Sequence, residues 1–521
     1  MTSHALAASG QLLPGRHHFA LLGICLALWM GSADRSARAD GRLAITVVDR
    51  DTGKTIPCRM HLRNAAGRPR HPRKAPFWDD HFVFPGQVAL DLPVGNYTFE
   101  LERGPEYVVR GGHFRIDNFA DDVKQIDMQR IVDMSDHGWY SGDLDVRRRP
   151  RDMELIMAAE DLHVAQVVTW GTDASQPGGT LPEPPVRRTD GDRFFHLMAG
   201  APECAGGTLF CFHLPKPLLP PDATPEYPAS IHYALEVHKQ PDGWVDLGKP
   251  YAWDMPMLVA LGQVDSIQVA HDHFRRTSML CDEGEGRPRD KQRYPPPHGN
   301  ARWSQDIYFK LLECGLRIPP SAGSGSGAAP NPVGYNRMYV HVGPKFDYAA
   351  WWENLRTGRV VVTNGPLMRP TVHGELPGHV FQAPEGETIE LEIGLTLSTR
   401  QPISYLEIIQ NGEVEHSVPL EQYAQTGRLP KLRFDRSGWF LVRVVTDLPK
   451  TYRFAMTGPY YVEIGSQRRV SKRAAEFFLD WVVQRARQLK LADPARHRQV
   501  LAFHRRAHDF WQQMVEQATA E

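Results

Sequence analysis

The stretch Asp136-His137-Gly138-Trp139-Tyr140-Ser141-Gly142-Asp143-Leu144-Asp145-Val146-Arg147 decides how the centre of this chain is read. Ser141 to Val146 reads as a strand, and side chains two residues apart along a strand, such as Asp145 and Arg147, are aimed to one side. Downstream, Arg151 to Asp161 is helical by composition, with Leu155, Ile156 and Ala159 on one face, and Val164 to Trp170 reads as a buried strand. Strand, helix and strand form a βαβ unit. More such units follow with long insertions, a layout that an α/β barrel accommodates, with any site at the C-terminal ends of its strands. The segments 175–188 and 282–300, rich in Pro, Gly and charge, read as mobile loops over a barrel face.

The flanks have a different rhythm. Leu43, Ile45 and Val47 alternate with polar neighbours; Ile56, Cys58, Met60 and Leu62 follow a turn; Val88, Leu90 and Leu92, then Tyr97, Phe99 and Leu101, complete a set of short strands. This predicts a small β-sandwich over residues 40–130. Alternation returns after Pro377, with Asn411-Gly412 set between two β-rich runs as a two-residue hairpin turn, and predicts a second sandwich over 377–465. Phe477, Phe478, Trp481 and Val482 then recur at helical spacing, and Asp493-Pro494 is a helix cap with proline at the first position, so 466–521 is expected to be helical. The fold class expected is multidomain α/β plus β, with the barrel over 131–376.

With 521 residues the chain is too long for one core. Its formal net charge of −1 gives no global pull toward nucleic acid or membrane surfaces, so no nucleic-acid partner is expected. The apolar run from His18 to Met30, followed by Ala37-Arg38-Ala39, reads as a secretory signal peptide over residues 1–39 cleaved near Ala39, which predicts a secreted or periplasmic protein with no membrane span after cleavage. The cysteines of the mature chain, Cys58, Cys204, Cys211, Cys281 and Cys314, are odd in number and sparse, which argues against a disulfide framework.

The stretch Gly142-Asp143-Leu144-Asp145-Val146-Arg147 resembles the first motif, G-D-L-H-x-H, of the PHP (polymerase and histidinol phosphatase) domain as found in CehA/McbA metallohydrolases, with Asp145 and Arg147 where the metal-binding histidines would stand. The resemblance covers roughly Asp136 to Gly365. It implies a distorted α/β barrel and further ligand motifs, which this chain has altered. An Asp-His pair is replaced by Trp170-Gly171 with Asp173 displaced, Gly-His by Gly207-Thr208, Ala-His-Pro by Gly248-Lys249-Pro250, and Ser-Asp-x-His by Ser324-Gly325-Ser326-Gly327; the family glutamate matches Glu203. The N-terminal runs V-V-D-x-x-T-G-K-x-I-P and L-P-V-G-N-Y-T-F are similar to carboxypeptidase regulatory-like domains.

Guanidinium has no lone pair for a metal, and a cluster of divalent ions needs many carboxylate and imidazole ligands. The altered motifs therefore predict a pocket of Asp143, Asp145, Arg147, Glu203, Lys249, Ser324 and Ser326 in which the metal cluster has been lost, side-chain cations stand in for metals, and no residue is assigned a catalytic role. The expected function is a non-catalytic binding or scaffold protein without cofactor, taking an unidentified small-molecule or polymer ligand, with an anion the better guess if Arg147 lies on an exposed basic loop. The alternative is a hydrolase of phosphoesters, carbamates or amides with Zn, Mn or Fe held by a reduced set, Asp143, Asp145, Glu203, His271 and His273. A second alternative is carbohydrate binding through Trp351-Trp352 and Tyr460-Tyr461. Asp136-His137 is a weaker candidate pair.

Overall fold

A computed structural model describes residues 41–171, 184–220, 223–284 and 286–521. The expected signal peptide and Asp173 lie outside the described residues. The described residues form one compact unit of mixed α/β structure built from several sheets. No helix among the described residues is long and apolar enough to cross a membrane.

Residues 41–128 fold as two sheets. One joins Gln87–Leu92, Gly41–Asp49 and Asp121–Met128; the other joins Phe77–Trp78, His81–Phe84, Cys58–Asn64, Gly95–Glu102 and Arg110–Ile116. The alternation seen in sequence places Leu43, Ile45, Val47, Met60, Leu62 and Leu101 in a single apolar core shared by both sheets.

All eight residues of the central strand Trp139–Val146 are buried. It runs parallel to Val164–Gly171, which runs parallel to Phe194–Ala201. The row continues through Gly207–Phe212 and Trp244–Leu247 to Ser266–Ala270 and Pro320–Ala322, the last two joined in parallel. On its other edge Trp139–Val146 pairs antiparallel with Arg337–His341. The loop after Pro320–Ala322 bonds back to the end of Trp139–Val146: the Gly325 amide donates to the Asp145 carbonyl (2.9 Å) and the Arg147 amide to the Ser326 carbonyl (2.7 Å). Strand ends far apart in sequence thus meet at one place. The helix Met153–Glu160 packs against strands of the N-terminal sheets and stops at Asp161, whose φ of 49° turns the chain out of the helix.

The C-terminal pairing crosses the boundary expected at 376/377. Leu367–Val372 hydrogen-bonds to Ile393–Ser398, and Leu367 and Met368 lie in the same core as Leu391, Phe440 and Val462. Val360–Thr363 also pairs with Phe454–Thr457, so the central and C-terminal strands are continuous. Asn411 and Gly412, both at positive φ, link Ile403–Gln410 to Glu413–Pro419, as the two-residue turn requires. The helices Lys472–Gln488 and Pro494–Glu516 pack on each other, and the Asp493 carboxylate accepts from the Ala495 and Arg496 amides.

The segment 282–300, expected to be mobile, is tied down at both ends. Glu283 and Arg289 form a buried ion pair, and the buried Asn300 side chain donates to the Asp282 carbonyl (2.9 Å). Charge that reads as loop composition is here satisfied internally. Most of 175–188 lies outside the described residues; Val186–Arg188 is a strand paired with Phe194–Ala201. The five cysteines of 41–521 are all free.

Candidate functional site

The polar groups gather where Trp139–Val146, Ser266–Ala270 and the 324–327 loop end. Asp145 is almost fully buried, and Arg147 Nε donates to its Oδ1 (3.1 Å). The same guanidinium reaches Glu203 Oε1 at 3.7 Å on the rim. Across the pocket Lys249 Nζ lies 3.3 Å from Asp272 Oδ1. A side chain at Gly325 would strike the Asp272 Cβ, so the φ of +64° and the missing Cβ together let the loop lie against Asp272, with Asp145 Oδ2 close by. Arg147 thus links Asp145 to Glu203, the 324–327 loop bonds to the same strand end, and Lys249 pairs with Asp272 beside that loop.

The acids divide by partner. Burial raises Asp145, while Arg147 and Lys249 oppose the rise. Asp272 is held well below the carboxylate range: against the cost of burial, Lys249 and the neighbouring histidines favour its charge. Burial pushes His273 down to about 3 and lowers His271, with Asp272 opposing both shifts.

Other expected ligands are committed elsewhere. Asp143, expected in the pocket, is fully buried, with Oδ1 accepting from the Ser324 and Asp145 amides (2.9 and 3.1 Å) and Oδ2 from the Gly334 amide (2.7 Å). It holds the loop against the strand. Ser324 and Ser326 are likewise fully buried. His271 Nε2 is 3.1 Å from Ser304 Oγ, and His273 Nδ1 is 3.0 Å from Tyr251 Oη. Among the described residues, the donor atoms of Asp143, Asp145, Glu203, His271 and His273 do not gather into a metal-binding group. Arg147 pairs with Asp145 and reaches Glu203, and Lys249 pairs with Asp272, so the carboxylates here face side-chain cations and do not fit a metal cluster. Asp136 and His137 are exposed in a short turn apart from the pocket. Trp351, Trp352 and Tyr460 are buried and Tyr461 partly so.

Sequence reasoning missed the layer beneath. Asp246 accepts from the Ser266 and Ser321 hydroxyls and from Gln268 Nε2 (2.7 Å), and Gln268 packs beside Gly323 and Asp145. Its signal was present as polar residues alternating through Ser266–Ala270 and a lone acid in Trp244–Leu247. Burial raises Asp246 to about 6 and Asp143 to about 7. For an acid raised on folding, the stabilisation is complete below the unfolded carboxyl range and is lost as pH rises through the folded value. Stability is therefore expected to fall from pH 5 to pH 8. Asp246→Asn, which keeps a neutral group among partners able to turn, should be more stable than the parent by about 2 kcal/mol at pH 8 and equal to it near pH 4. Urea melts across that range test this, and a parallel pair of profiles would refute it.

The one group among the described residues whose His and Asp atoms do converge is His61, Asp80 and His81 in the N-terminal sheets. Arg59 Nε donates to His61 Nε2 (3.2 Å), which puts the ring proton on Nδ1, 3.0 Å from Asp80 Oδ1. Neither His61 nitrogen then offers a lone pair to a cation, and Arg63 already binds Asp80. The ion pair of the group is Arg63 with Asp80, whose carboxylate both histidines flank.

No protein-family model and no curated protein sequence matches this chain. Among solved structures, the TIE protein of Bacillus anthracis is similar at 21% identity over 20% of this chain and 19% of that one, with a TM-score of 0.15. The N-terminal four Ig domains of Dscam1 isoform 4.4 align over 81% of this chain and 97% of that one at 11% identity, with a TM-score of 0.13. The chain spans about a fifth of the TIE protein, and likenesses at these TM-scores carry no argument about fold or function.

Proposed function

We propose that this chain is a PHP-like barrel protein that has exchanged its family metal centre for fixed side-chain cations and acts as a non-catalytic binding protein. The observation that carries the reading is the pairing of Arg147 with Asp145 and of Lys249 with Asp272, at positions where the resemblance calls for metal ligands or their neighbours. A guanidinium and an ammonium offset the buried carboxylates as metals would, but they neither polarise a carbonyl as a Lewis acid nor generate hydroxide at neutral pH. What they leave is a pocket with cationic donors and anionic acceptors side by side, suited to a small polar ligand or a polymer end that exchanges hydrogen bonds with both. Export to the periplasm or beyond belongs to the same proposal and rests on the run from His18 to Ala39.

The test is elemental analysis of the purified chain, with assays on phosphoesters, carbamates and amides after addition of zinc, manganese or iron. Less than one equivalent of tightly held metal and no turnover are expected. Stoichiometric metal with turnover abolished by Asp145→Asn or His271→Ala would overturn the proposal in favour of a reduced-site hydrolase.

A further inference from the structure

A second concentration of charge lies away from the pocket, where the N-terminal, central and C-terminal strands adjoin. Five arginines, Arg59, Arg276, Arg337, Arg400 and Arg453, line one small cavity of about 20 Å³. The carboxylates facing them are Glu102 and Glu160. Glu102 is shared: Arg59 lies 2.9 Å from it, Arg276 binds it through Nε (3.0 Å), and Arg400 approaches to 3.8 Å. Glu160 is taken by Arg59. Glu100, on the exposed rim, binds Arg276.

Two of the arginines have no carboxylate partner among the described residues. Arg337, only 1% exposed, spends its donors on the carbonyls of Gly334, Asp161 and Glu160. Arg453 donates to the Arg276 carbonyl (3.1 Å), and its Nε is buried without a partner. Arg400 Nε is also buried and unpartnered. Burial lowers Arg400, Glu102 resists that, and Arg453, Arg59 and Arg337 add to the lowering, so these cations repel one another across the cavity. Gly104 and Gly334, both at positive φ, have no side chain where a Cβ would crowd the Arg337 guanidinium. The backbone is thus shaped to admit a guanidinium that has no carboxylate partner among the described residues. Uncompensated buried cations are costly, and a cavity of this size accepts an occupant about as large as a water molecule or slightly larger.

We propose that this cavity is a structural site for a small monatomic anion of the halide class, held by the unpartnered Nε groups of Arg400 and Arg453 beside the charge of Arg337. A monovalent anion at this point faces cations from all three parts of the chain and satisfies N–H donors that are otherwise orphaned. Binding to the folded chain alone makes it a stabiliser by mass action.

Two measurements test it on the full chain. Melting temperature is compared in sodium chloride, sodium bromide, sodium sulfate and sodium gluconate at equal ionic strength; crystals grown in bromide are examined for anomalous scattering. Chloride and bromide should raise the melting temperature over gluconate by about 2 °C or more, an effect absent in Arg453→Met, and bromide should appear beside Arg453 Nε. Equal melting temperatures in chloride and gluconate, a halide effect unchanged by Arg453→Met, or stabilisation by sulfate with none by halide would each overturn the proposal. If Arg453→Met does not fold, the bromide signal decides, and its absence from the cavity in well-diffracting crystals refutes the site.

Discussion

Replacing Asp161 with asparagine is expected to destabilise the chain by about 3–5 kcal/mol near pH 7, because it strips the charge from a buried carboxylate on which three guanidinium groups converge. Arg103, Arg130 and Arg193 reach Asp161 at 3.0, 2.6 and 2.7 Å. Arg130 also pairs with Glu106 and Asp133, and Arg193 with Asp190, but Arg103 has no second carboxylate within ion-pair distance among the described residues. Asparagine tolerates the left-handed conformation at the end of Met153–Glu160, so backbone strain is not the source of the loss. The pH dependence separates charge from shape. Burial works against the charged form of Asp161, yet the three arginines hold it well below the ordinary carboxylate range. An acid depressed on folding contributes stability that is present above the unfolded value and lost as pH falls through the folded one. The gap between parent and Asp161→Asn should accordingly narrow from pH 6 toward pH 2 in urea titrations. A loss under about 1 kcal/mol at pH 7 would mean that the cluster is already solvated enough to be indifferent to the charge.

Asp161 also shows which parts of this fold a reader of the sequence reaches. Local rules were sufficient where a residue's neighbours along the chain determine its state: the alternation of Leu43, Ile45 and Val47, the Asn411-Gly412 turn, and the Asp493 cap all act within a few residues. Pairing across the sheet is not local. Leu367–Val372 belongs with Ile393–Ser398 through a register that no short window contains, which is why the expected boundary at 376/377 cuts between paired strands. The pocket divides in the same way. Asp145, Arg147, Glu203 and Lys249 were reachable as positions in a resembling pattern. Asp272 carries no ligand pattern of its own in the sequence; it lies between His271 and His273, and only the fold brings it to Lys249. Trp351 and Trp352 have the same composition whether they stack on a sugar or fill a core, and only burial separates the two.

Arg147→Met should cost about 3 kcal/mol at pH 7.5, the lower end for breaking a buried pair, because water reaches part of the guanidinium while Asp145 stays buried. The side chains are 19% and 5% exposed. Methionine keeps the apolar stem packed, so the loss reports the missing charge. Asp145 is already raised by burial, with Arg147 as the first influence opposing it; without Arg147 its folded value moves further above the unfolded one. Stability lost in this way grows as pH rises through that interval and vanishes below it, where Asp145 is protonated folded and unfolded alike. Parent and variant should therefore converge near pH 3.5 and diverge toward pH 8, opposite in cause to a packing defect, which would persist at both. The double variant Asp145→Asn with Arg147→Met should recover most of the loss, since an amide without its cation is far less costly than a carboxylate without one. Histidine at positions 145 and 147 should not bring hydrolysis, because Trp170, Lys249 and Gly327 still offer no metal ligands where the family pattern needs them. An unchanged melting temperature for Arg147→Met across pH would sink the countercharge reading, and Arg147 would then be free to serve an anionic ligand.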